Sequence, residues 1–204
     1  LALTFLPRVG ELFGLGISGG VSGIPTSNAL ISVSYDGGKN FKAGGLREGL
    51  RGVEINDFEI IKKDGNNLFL AGSTRGLLMS DDEGGTWYFF NDLKNILTKV
   101  DVADLSVNPL NRNEVFVALY KNGESLVYKT TNNFFTLEEL FSDKERVNKI
   151  DIFGDNLHLA MKDGRTIEYN LPTQKLRRLD VTGDSLSTAS IYDKFLNFYG
   201  EKRR

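Results

Sequence analysis

The chain has 204 residues, of which 25% are charged, and a formal net charge of −2, so bulk electrostatics favour neither nucleic acid nor an anionic membrane as a partner. The absence of cysteine excludes disulfides, thiolate metal sites, cysteine nucleophiles and a lipid anchor on cysteine. The 22 glycines and 4 prolines are typical of a globular protein with many short turns.

Residues 1–27 form an N-terminal segment with its own composition. The run from Leu1 to Pro7 is apolar, and a glycine-rich run from Gly14 to Gly20 follows it. The apolar run is too short to span a bilayer, which takes about 20 residues. Two interpretations remain open: the tail of an export signal or membrane anchor, which would be the protein's link to a membrane, or a buried strand at the start of the fold.

Three related turn segments start at residues 34, 80 and 130. The middle segment, Ser80-Asp81-Asp82-Glu83-Gly84-Gly85-Thr86-Trp87, fits the pattern S-x-D-x-G-x-T-W at every position. A period of roughly 40 to 50 residues indicates stacked blades, each a small sheet that cannot bury its own faces alone. The residues that keep the pattern are Ser34, Asp36, Gly38 and Phe41 in the first copy, Ser80, Asp82, Gly84, Thr86 and Trp87 in the second, and Thr130 and Asn132 in the third.

Each residue type in this pattern has a structural role in a tight hairpin turn. The hydroxyl and carboxylate accept hydrogen bonds from nearby backbone N–H groups, and the glycine takes a backbone conformation that a Cβ atom would oppose. The aromatic residue at the end is expected to pack between blades. We therefore interpret Asp36 and Asp82 as structural, and we predict that Trp87 and Phe41 are buried.

The motif resembles the Asp-box, or BNR repeat, of sialidases, sortilin-type receptors, some plant-polysaccharide hydrolases and the photosystem II assembly-factor family, all of which are β-propellers. The style of the repeat is most similar to the photosystem II assembly-factor family and its non-photosynthetic bacterial relatives, over about residues 28–180. Sortilin-type and sialidase-type propellers are more distant. The resemblance implies an all-β fold and a non-enzymatic scaffold that binds protein in the cell envelope or outside the cell.

A second repeat sets the expected positions of the strands. Three apolar runs end in alanine, at Ala71, Ala118 and Ala160. Together with the turn segments they predict four-stranded antiparallel blades, and in the second blade the strands fall at about 54–61, 67–73, 76–81 and 86–90. This is fewer blades than a closed Asp-box propeller has, which predicts an incomplete propeller or a fragment. The blades are expected as a half-blade at 28–45 and fuller blades at 53–92, 100–141 and 147–180.

The C-terminal tail, residues 181–204, has a different periodicity. Its apolar residues recur at helical spacing, which predicts a short amphipathic helix ending near Gly200. The helix is expected to pack on the last blade, and the alternative is contact with a partner or a membrane surface. The stripe consists of Ile191, Tyr192, Phe195, Phe198 and Tyr199.

One candidate binding site lies in the turns between the second and third strands of the blades. Each of these turns carries at least one cation, and the turns are expected at the end opposite the Asp-box turns. A shared basic surface would suit a protein partner with acidic or carboxylate-bearing groups. The alternative is ordinary solvated charge. The residues are Arg75, Lys121, Lys162 and Arg165.

The sequence contains no recognisable catalytic set, metal site or cofactor motif. The arginine triad of sialidases is not recognisable, and Asp57, Asp104 and Asp151 do not occupy equivalent positions in the repeat. The one histidine, His158, aligns with Phe69 and Phe116 and is expected to pack as they do. The alternative function is a glycan-active hydrolase, sialidase-like or polysaccharide-cleaving, whose catalytic loops lie in chain beyond this sequence.

Overall fold

The structure is a computed structural model that describes residues 3–8, 11–16, 31–34, 39–40, 42–43, 45–46, 53–63, 65–91, 94 and 96–179. All regular elements in these ranges are β-strands, which confirms the predicted all-β class. The described residues include no helix with the length and apolar character needed to cross a membrane. The predicted roles of Asp36, Gly38 and Phe41, and the predicted helix in 181–204, concern residues outside the described ranges.

The strands form four consecutive sheets, which we number as blades 1 to 4. Blade 1 contains β1 (Leu3–Arg8), β2 (Glu11–Gly16), β3 (Ser32–Ser34) and β4 (Lys42–Ala43). Blade 2 contains β6 (Ile55–Lys63), β7 (Asn66–Ser73), β8 (Gly76–Ser80) and β9 (Thr86–Phe89), with the short β5 (Gly45–Leu46) parallel to β9. Blade 3 contains β10 (Asp101–Val107), β11 (Val115–Lys121), β12 (Glu124–Thr130) and β13 (Glu138–Asp143). Blade 4 contains β14 (Val147–Phe153), β15 (Asn156–Met161), β16 (Thr166–Asn170) and β17 (Lys175–Leu179).

Blades 2 to 4 confirm the predicted antiparallel order, with sequential strands paired as neighbours. The half-blade predicted at 28–45 was wrong, because blade 1 is a four-stranded sheet. The strands Leu3–Arg8 and Glu11–Gly16 supply its other half, since β2 pairs with both β1 and β3. Of the two interpretations of residues 1–27, the strand at the start of the fold therefore agrees with the pairing of Leu3–Arg8 and Glu11–Gly16.

The first strands of blades 2, 3 and 4 lie side by side. β10 contacts both β6 and β14, and hydrogen bonds between corresponding parts of these strands show that they run in the same direction. The second hairpin turns of blades 2 to 4 therefore lie at one end of the blades, which we call the lower end. The first and third hairpin turns of these blades, including the Ser80–Trp87 segment, lie at the upper end.

The core consists of apolar layers between neighbouring blades. One layer joins blades 2 and 3 through residues such as Leu70 and Val117, and another joins blades 3 and 4 through residues such as Phe116 and Leu159. A third layer covers the other face of blade 2 around Trp87, which is fully buried as predicted. Strands β7 and β8 of blade 2 and β11 of blade 3 are buried on both faces because these blades are covered on both sides, so they read as continuous apolar runs, whereas β15 of blade 4 alternates between buried and partly exposed residues.

The alanine alignment of the second repeat is off by one residue in blade 2. Ala118 and Ala160 pair with the residues that follow a bulge in β10 and β14, and in blade 2 the residue in that position is Gly72. A Cβ atom on Gly72 would lie 3.0 Å from Val102 Cγ1, so the close approach of blade 3 requires glycine there. Ala71 faces the opposite side of the sheet.

Candidate functional site

The Ser80–Trp87 segment closes the third turn of blade 2 with a network of side-chain and backbone hydrogen bonds. The hydroxyl of Ser80 accepts a bond from Gly84 N (2.8 Å) and donates to Asp82 Oδ1 (2.8 Å). The same carboxylate oxygen accepts from Thr86 N at 2.6 Å. Trp87 Nε1 donates to the carbonyl of Gly84, and the ring packs edge-on against Phe58 with centroids 6.3 Å apart. The hydrophilic half of the motif thus holds the turn while the indole fills the core.

The third turn of blade 3 uses the same network with different residues. Thr130 Oγ1 accepts from Phe134 N (3.1 Å) and lies 3.2 Å from Asn132 Oδ1. Asn132 Oδ1 accepts from Thr136 N at 3.0 Å, as Asp82 accepts from Thr86. An amide oxygen therefore replaces the carboxylate without loss of a bond, so the turn requires an acceptor at this position and no charge.

The Asp82 carboxylate is committed to its turn. Partial burial opposes ionisation, but the Thr86 N–H and the Ser80 hydroxyl outweigh burial and hold the pKa of Asp82 below its usual range. Ser34, the equivalent residue in the first copy, is fully buried in β3. These contacts give the motif a structural explanation that needs no ligand.

The structure places the four candidate binding residues at the lower end. Arg75 lies in the turn between β7 and β8, Lys121 ends β11, and the other two lie in the turn between β15 and β16. Arg75, Lys121 and Lys162 are exposed. The guanidinium of Arg75 lies 5.8 Å from the centre of the Phe89 ring, which holds its stem against the blade and leaves its charge accessible.

Arg165 differs from these three cations because it is paired within the protein. Its Nη1 and Nη2 lie 3.2 and 3.3 Å from the two carboxylate oxygens of Asp143, and its Nε contacts Asp163. Hydrogen bonds from Arg165 hold the pKa values of both aspartates below their usual range. Arg146 at the same end is also paired, with Nη1 2.6 Å from Asp101 Oδ2. The accessible positive charge of the predicted surface therefore comes from Arg75, Lys121 and Lys162.

A second polar cluster lies between the first strands of blades 2, 3 and 4. Asp57 Oδ2 accepts from Leu105 N at 3.0 Å, and Asp104 Oδ2 accepts from Ile150 N at 2.7 Å. Lys149 Nζ lies 2.7 Å from Asp104 Oδ1 and 3.6 Å from Asp57 Oδ1. Each carboxylate therefore ties one blade to the backbone of the next, and the ammonium group neutralises the pair.

Asp57, Asp104 and Lys149 occupy equivalent positions, so the prediction that Asp57 and Asp104 are not equivalent was wrong. Each residue directly follows a one-residue bulge and pairs with a small residue of its second strand. Asp57 and Asp104 lie at the same distance in the sequence from the alanines of their second strands, whereas Lys149 lies closer to its alanine because the first hairpin of blade 4 is shorter. Asp151 lies two residues after Lys149. The prediction was therefore correct only in that Asp151 is not equivalent to Asp57 and Asp104.

The carboxyl groups of this cluster ionise less readily than usual. Burial, reinforced by the charges of Asp57 and Asp104, raises the pKa of Glu59 to about 8. Burial and the charge of Asp57 raise the pKa of Asp104 to about 8 against the opposing effect of Lys149. Lys149 in turn has its pKa raised to about 12, because the two aspartates outweigh the effect of burial. Within the described residues, no group of three or more acidic or histidine side chains is arranged to hold a metal ion.

His158 lies on a polar sheet face, so the prediction that it packs like an aromatic core residue was wrong. It lies on the same face of blade 4 as Asp151 and Glu168, its neighbours on the adjacent strands, and its Nε2 lies 3.8 Å from Glu168 Oε2. It does correspond to Phe116, since each precedes the equivalent alanine by two residues. Phe116 is covered by blade 4, whereas His158 lies on the face of blade 4 turned away from blade 3.

No protein-family model matches the sequence, and a search of curated proteins gives no match either. Solved structures resemble the chain at low identity. The GH74 xyloglucanase from Xanthomonas campestris is 16% identical with a TM-score of 0.63, over 87% of this chain and 30% of that protein. Sqt1 from Saccharomyces cerevisiae is 16% identical with a TM-score of 0.54, over 81% and 44%. The Dos1 propeller is 12% identical with a TM-score of 0.57, over 84% and 46%.

This chain spans less than half the length of each of these three proteins. Identities of this size show a shared fold and carry no information on activity, and the three proteins include a glycan hydrolase beside proteins of other kinds. The likeness agrees with the sheet order and with the packing of first strand against first strand. The described part of this chain therefore consists of consecutive blades of a β-propeller.

Proposed function

We propose that this protein is a non-enzymatic binding scaffold of the Asp-box propeller class, and that its lower end binds an acidic segment of a protein partner. The observation that carries the proposal is the repetition of an exposed cation in the second turn of three successive blades. Arg75, Lys121 and Lys162 form no ion pair with another described residue, and a rigid scaffold fixes the turns that carry them. Such a row gives an acidic chain several charge contacts at once.

The contacts of the Asp57 and Asp104 carboxylates within the protein favour a binding role over hydrolysis. A glycosidase needs two carboxyl groups about 5 to 9.5 Å apart with space for sugar between them. Asp57 and Asp104 are instead bonded to the next blade, and Lys149 lies against both. The alternative of a glycan-active hydrolase, as in the GH74 xyloglucanase, would require catalytic groups from outside the described residues.

The proposed location is the cell envelope or the exterior of the cell. The support is the resemblance of the Ser80–Trp87 segment to the Asp-box of exported propellers. The chain also lacks cysteine, so its fold does not depend on the redox state of its compartment. Fractionation of the source cells, with the protein detected by antibody, tests this part of the proposal.

Binding to an acidic probe tests the lower end. A labelled Glu-rich peptide is titrated with the protein and with the double variant Arg75→Glu/Lys121→Glu, and fluorescence anisotropy is recorded. The matched control is Arg112→Glu/Lys175→Glu, which changes the net charge equally at exposed positions of the upper end. We expect weaker binding only in the lower-end variant, with an affinity that falls as salt rises. Equal loss in both variants would show that net charge alone attracts the peptide.

Incubation with fluorogenic sialosides and with β-glucan and xyloglucan oligosaccharides tests the alternative. We expect no turnover. Turnover that is lost on replacement of one carboxylate, with thermal stability unchanged, would replace the scaffold proposal by the hydrolase.

A further inference from the structure

The third turn of blade 3 carries two phenylalanines where the equivalent turn of blade 2 carries two glycines. The hydrogen bonds fix the equivalence: Phe134 N and Gly84 N each donate to the hydroxyl that begins the turn. In the same way, Phe135 N donates to the backbone carbonyl of Asn132, and Gly85 N donates to that of Asp82. Both turns have the same path, so the two aromatic side chains are additions to a turn that closes without them.

Phe134 has a packing role inside the protein. Its side chain is buried in the layer between blades 2 and 3, with its ring centroid 5.7 Å from that of Phe90. Its φ is 69°, close to the left-handed conformation of Gly84 at 90°, and such a conformation is strained for a bulky residue. The packing of the Phe134 ring offsets this strain. The ring fills space in the layer because Leu137, which stands at the position of Trp87, is too small to fill it alone.

Phe135 has no such role. Its side chain is 84% exposed, and Leu110, in the first turn of the same blade, is 83% exposed. Both turns lie at the upper end of one sheet, with roughly 10 Å between them from the spacing of neighbouring strands. In the same turn, Asn133 Oδ1 is buried without a hydrogen-bond partner among the described residues, and Phe134 has the strained backbone. A protruding aromatic on a strained turn is typical of a binding surface.

The charge around Phe135 selects the kind of partner. Residues 81–85 and 131–138, which comprise the third turns of blades 2 and 3 and the first residue of β13, carry acidic side chains and no lysine or arginine, and Lys129, opposite Glu138, is ion-paired with Glu114. Arg112, beside Leu110, is the one cation in the described first turn of blade 3. A second copy that approached with the same end would bring like charges together, which disfavours a symmetric dimer through this surface. The acidic residues are Asp81, Asp82, Glu83 and Glu138.

We propose that Phe135 and Leu110 form a docking surface for a protein partner that presents an apolar pocket or face with a lysine- or arginine-rich rim. Phe135 enters the apolar part of the partner, and the carboxylates of the third turns contact its cationic rim. This surface lies at the end opposite the cations of the second turns. It is independent of the proposed function, and one end can fail its test without affecting the other.

A peptide titration tests the surface. Two short labelled amphipathic helices serve as probes, one built from Lys and Leu and one from Glu and Leu. Fluorescence anisotropy is measured with the wild-type protein, with Phe135→Gly, which reproduces the residue of the blade 2 turn, and with Leu176→Ser. Leu176 is the matched control because it is apolar and 55% exposed on the outer strand of blade 4. Thermal unfolding of each variant verifies that the fold is intact.

We expect the Lys/Leu peptide to bind, and Phe135→Gly to weaken binding about ten-fold or more, as for an interface aromatic. Leu176→Ser should bind as the wild type does, and Phe135→Gly should unfold at the wild-type temperature. Equal binding of the Lys/Leu peptide by Phe135→Gly, or an equal loss of Glu/Leu peptide binding on Phe135→Gly, would overturn the proposal, because Glu/Leu binding at the lower end does not depend on Phe135. Self-association of the wild type in sedimentation velocity, abolished by Phe135→Gly, would overturn it as well by making the occupant a second copy.

Discussion

Asp104 joins blades 3 and 4 through both oxygens of its carboxylate: one accepts from Ile150 N at 2.7 Å and the other lies 2.7 Å from Lys149 Nζ. Asp104 is almost fully buried, at 1% exposure, whereas the Lys149 side chain is 48% exposed. The two partners therefore contribute unequally to stability. When the lysine is lost, the Asp104 carboxyl, whose pKa is raised to about 8, stays buried and takes up a proton, whereas no group replaces the acceptor of Ile150 N–H when the aspartate is lost.

Replacing Asp104 tests this inequality. We expect Asp104→Ala to lower the free energy of unfolding by about 3–5 kcal/mol, because it leaves Ile150 N–H and Lys149 without their partner. Lys149→Met should cost about 1 kcal/mol or less, because the Asp104 carboxyl that loses its counter-ion takes up a proton near pH 7. Urea denaturation gives both values. Asp155→Ala, at an exposed turn, is the control and should change stability by less than about 0.5 kcal/mol. Equal effects at Asp104 and Lys149 would contradict the inequality.

Stability should fall as pH rises from 5 to 9. Glu59 and Asp104 have pKa values raised to about 8 in the folded protein, whereas carboxyl groups of the unfolded chain titrate near about 4. The folded state thus binds more protons between these values, and the stability that protonation contributes is lost as pH rises through the folded pKa. Lys149 stays charged over this range, since its pKa is raised to about 12.

Urea midpoints measured at several pH values between 5 and 9 test this dependence. Glu59→Gln should flatten the profile, because glutamine does not titrate. The measured pH range begins at 5, because the pKa values of Asp82 and Asp143 are lowered and these carboxylates lose their stabilising charge in more acidic solution. A midpoint that rises with pH in the wild type would contradict the assignment of raised pKa values to this cluster.

The third turn of blade 2 should need an acceptor at Asp82 but no charge. Asp82→Ala removes the acceptor for Thr86 N and Ser80, and we expect a loss of about 1–3 kcal/mol in the free energy of unfolding. Asp82→Asn should be nearly neutral, because Asn132 makes the same bonds in blade 3. Thermal and urea unfolding compare the two variants. An effect of Asp82→Asn as large as that of Asp82→Ala would show that the charge itself matters.

The variant Phe134→Gly compares two contributions to stability, the packing of the buried ring and the strain of its backbone. Loss of the buried ring costs about 3–5 kcal/mol, and removal of a side chain from a left-handed backbone returns about 1–2 kcal/mol. We therefore expect a net loss of about 1–4 kcal/mol in the free energy of unfolding. The double variant Phe134→Gly/Leu137→Trp restores the residues of the blade 2 turn and should recover part of this loss. A stabilised Phe134→Gly protein would mean that strain exceeds packing at this turn.

The turns show how much of the site the sequence could predict. The residue pattern of the Ser80–Trp87 segment predicted a tight turn, and the structure has one there. The pattern did not predict that Phe134 adopts the left-handed backbone conformation of the equivalent Gly84, because a bulky residue in that conformation contradicts local preference. Only the space left by Leu137 between two blades explains it.

The sequence by itself determined blades 2 to 4, their strands and the placement of cations in their second turns, because these depend on local periodicity and turn chemistry. Tertiary structure alone decided which charges are accessible. Arg165 is neutralised by Asp143, 22 residues away, and Asp57 and Asp104 meet Lys149 from different blades. The first strands of blades 2, 3 and 4 each contain a one-residue bulge, and such a shift moves every later side chain to the opposite face. The sequence carries no local mark of that shift, so the partners across blades appear only in the folded protein.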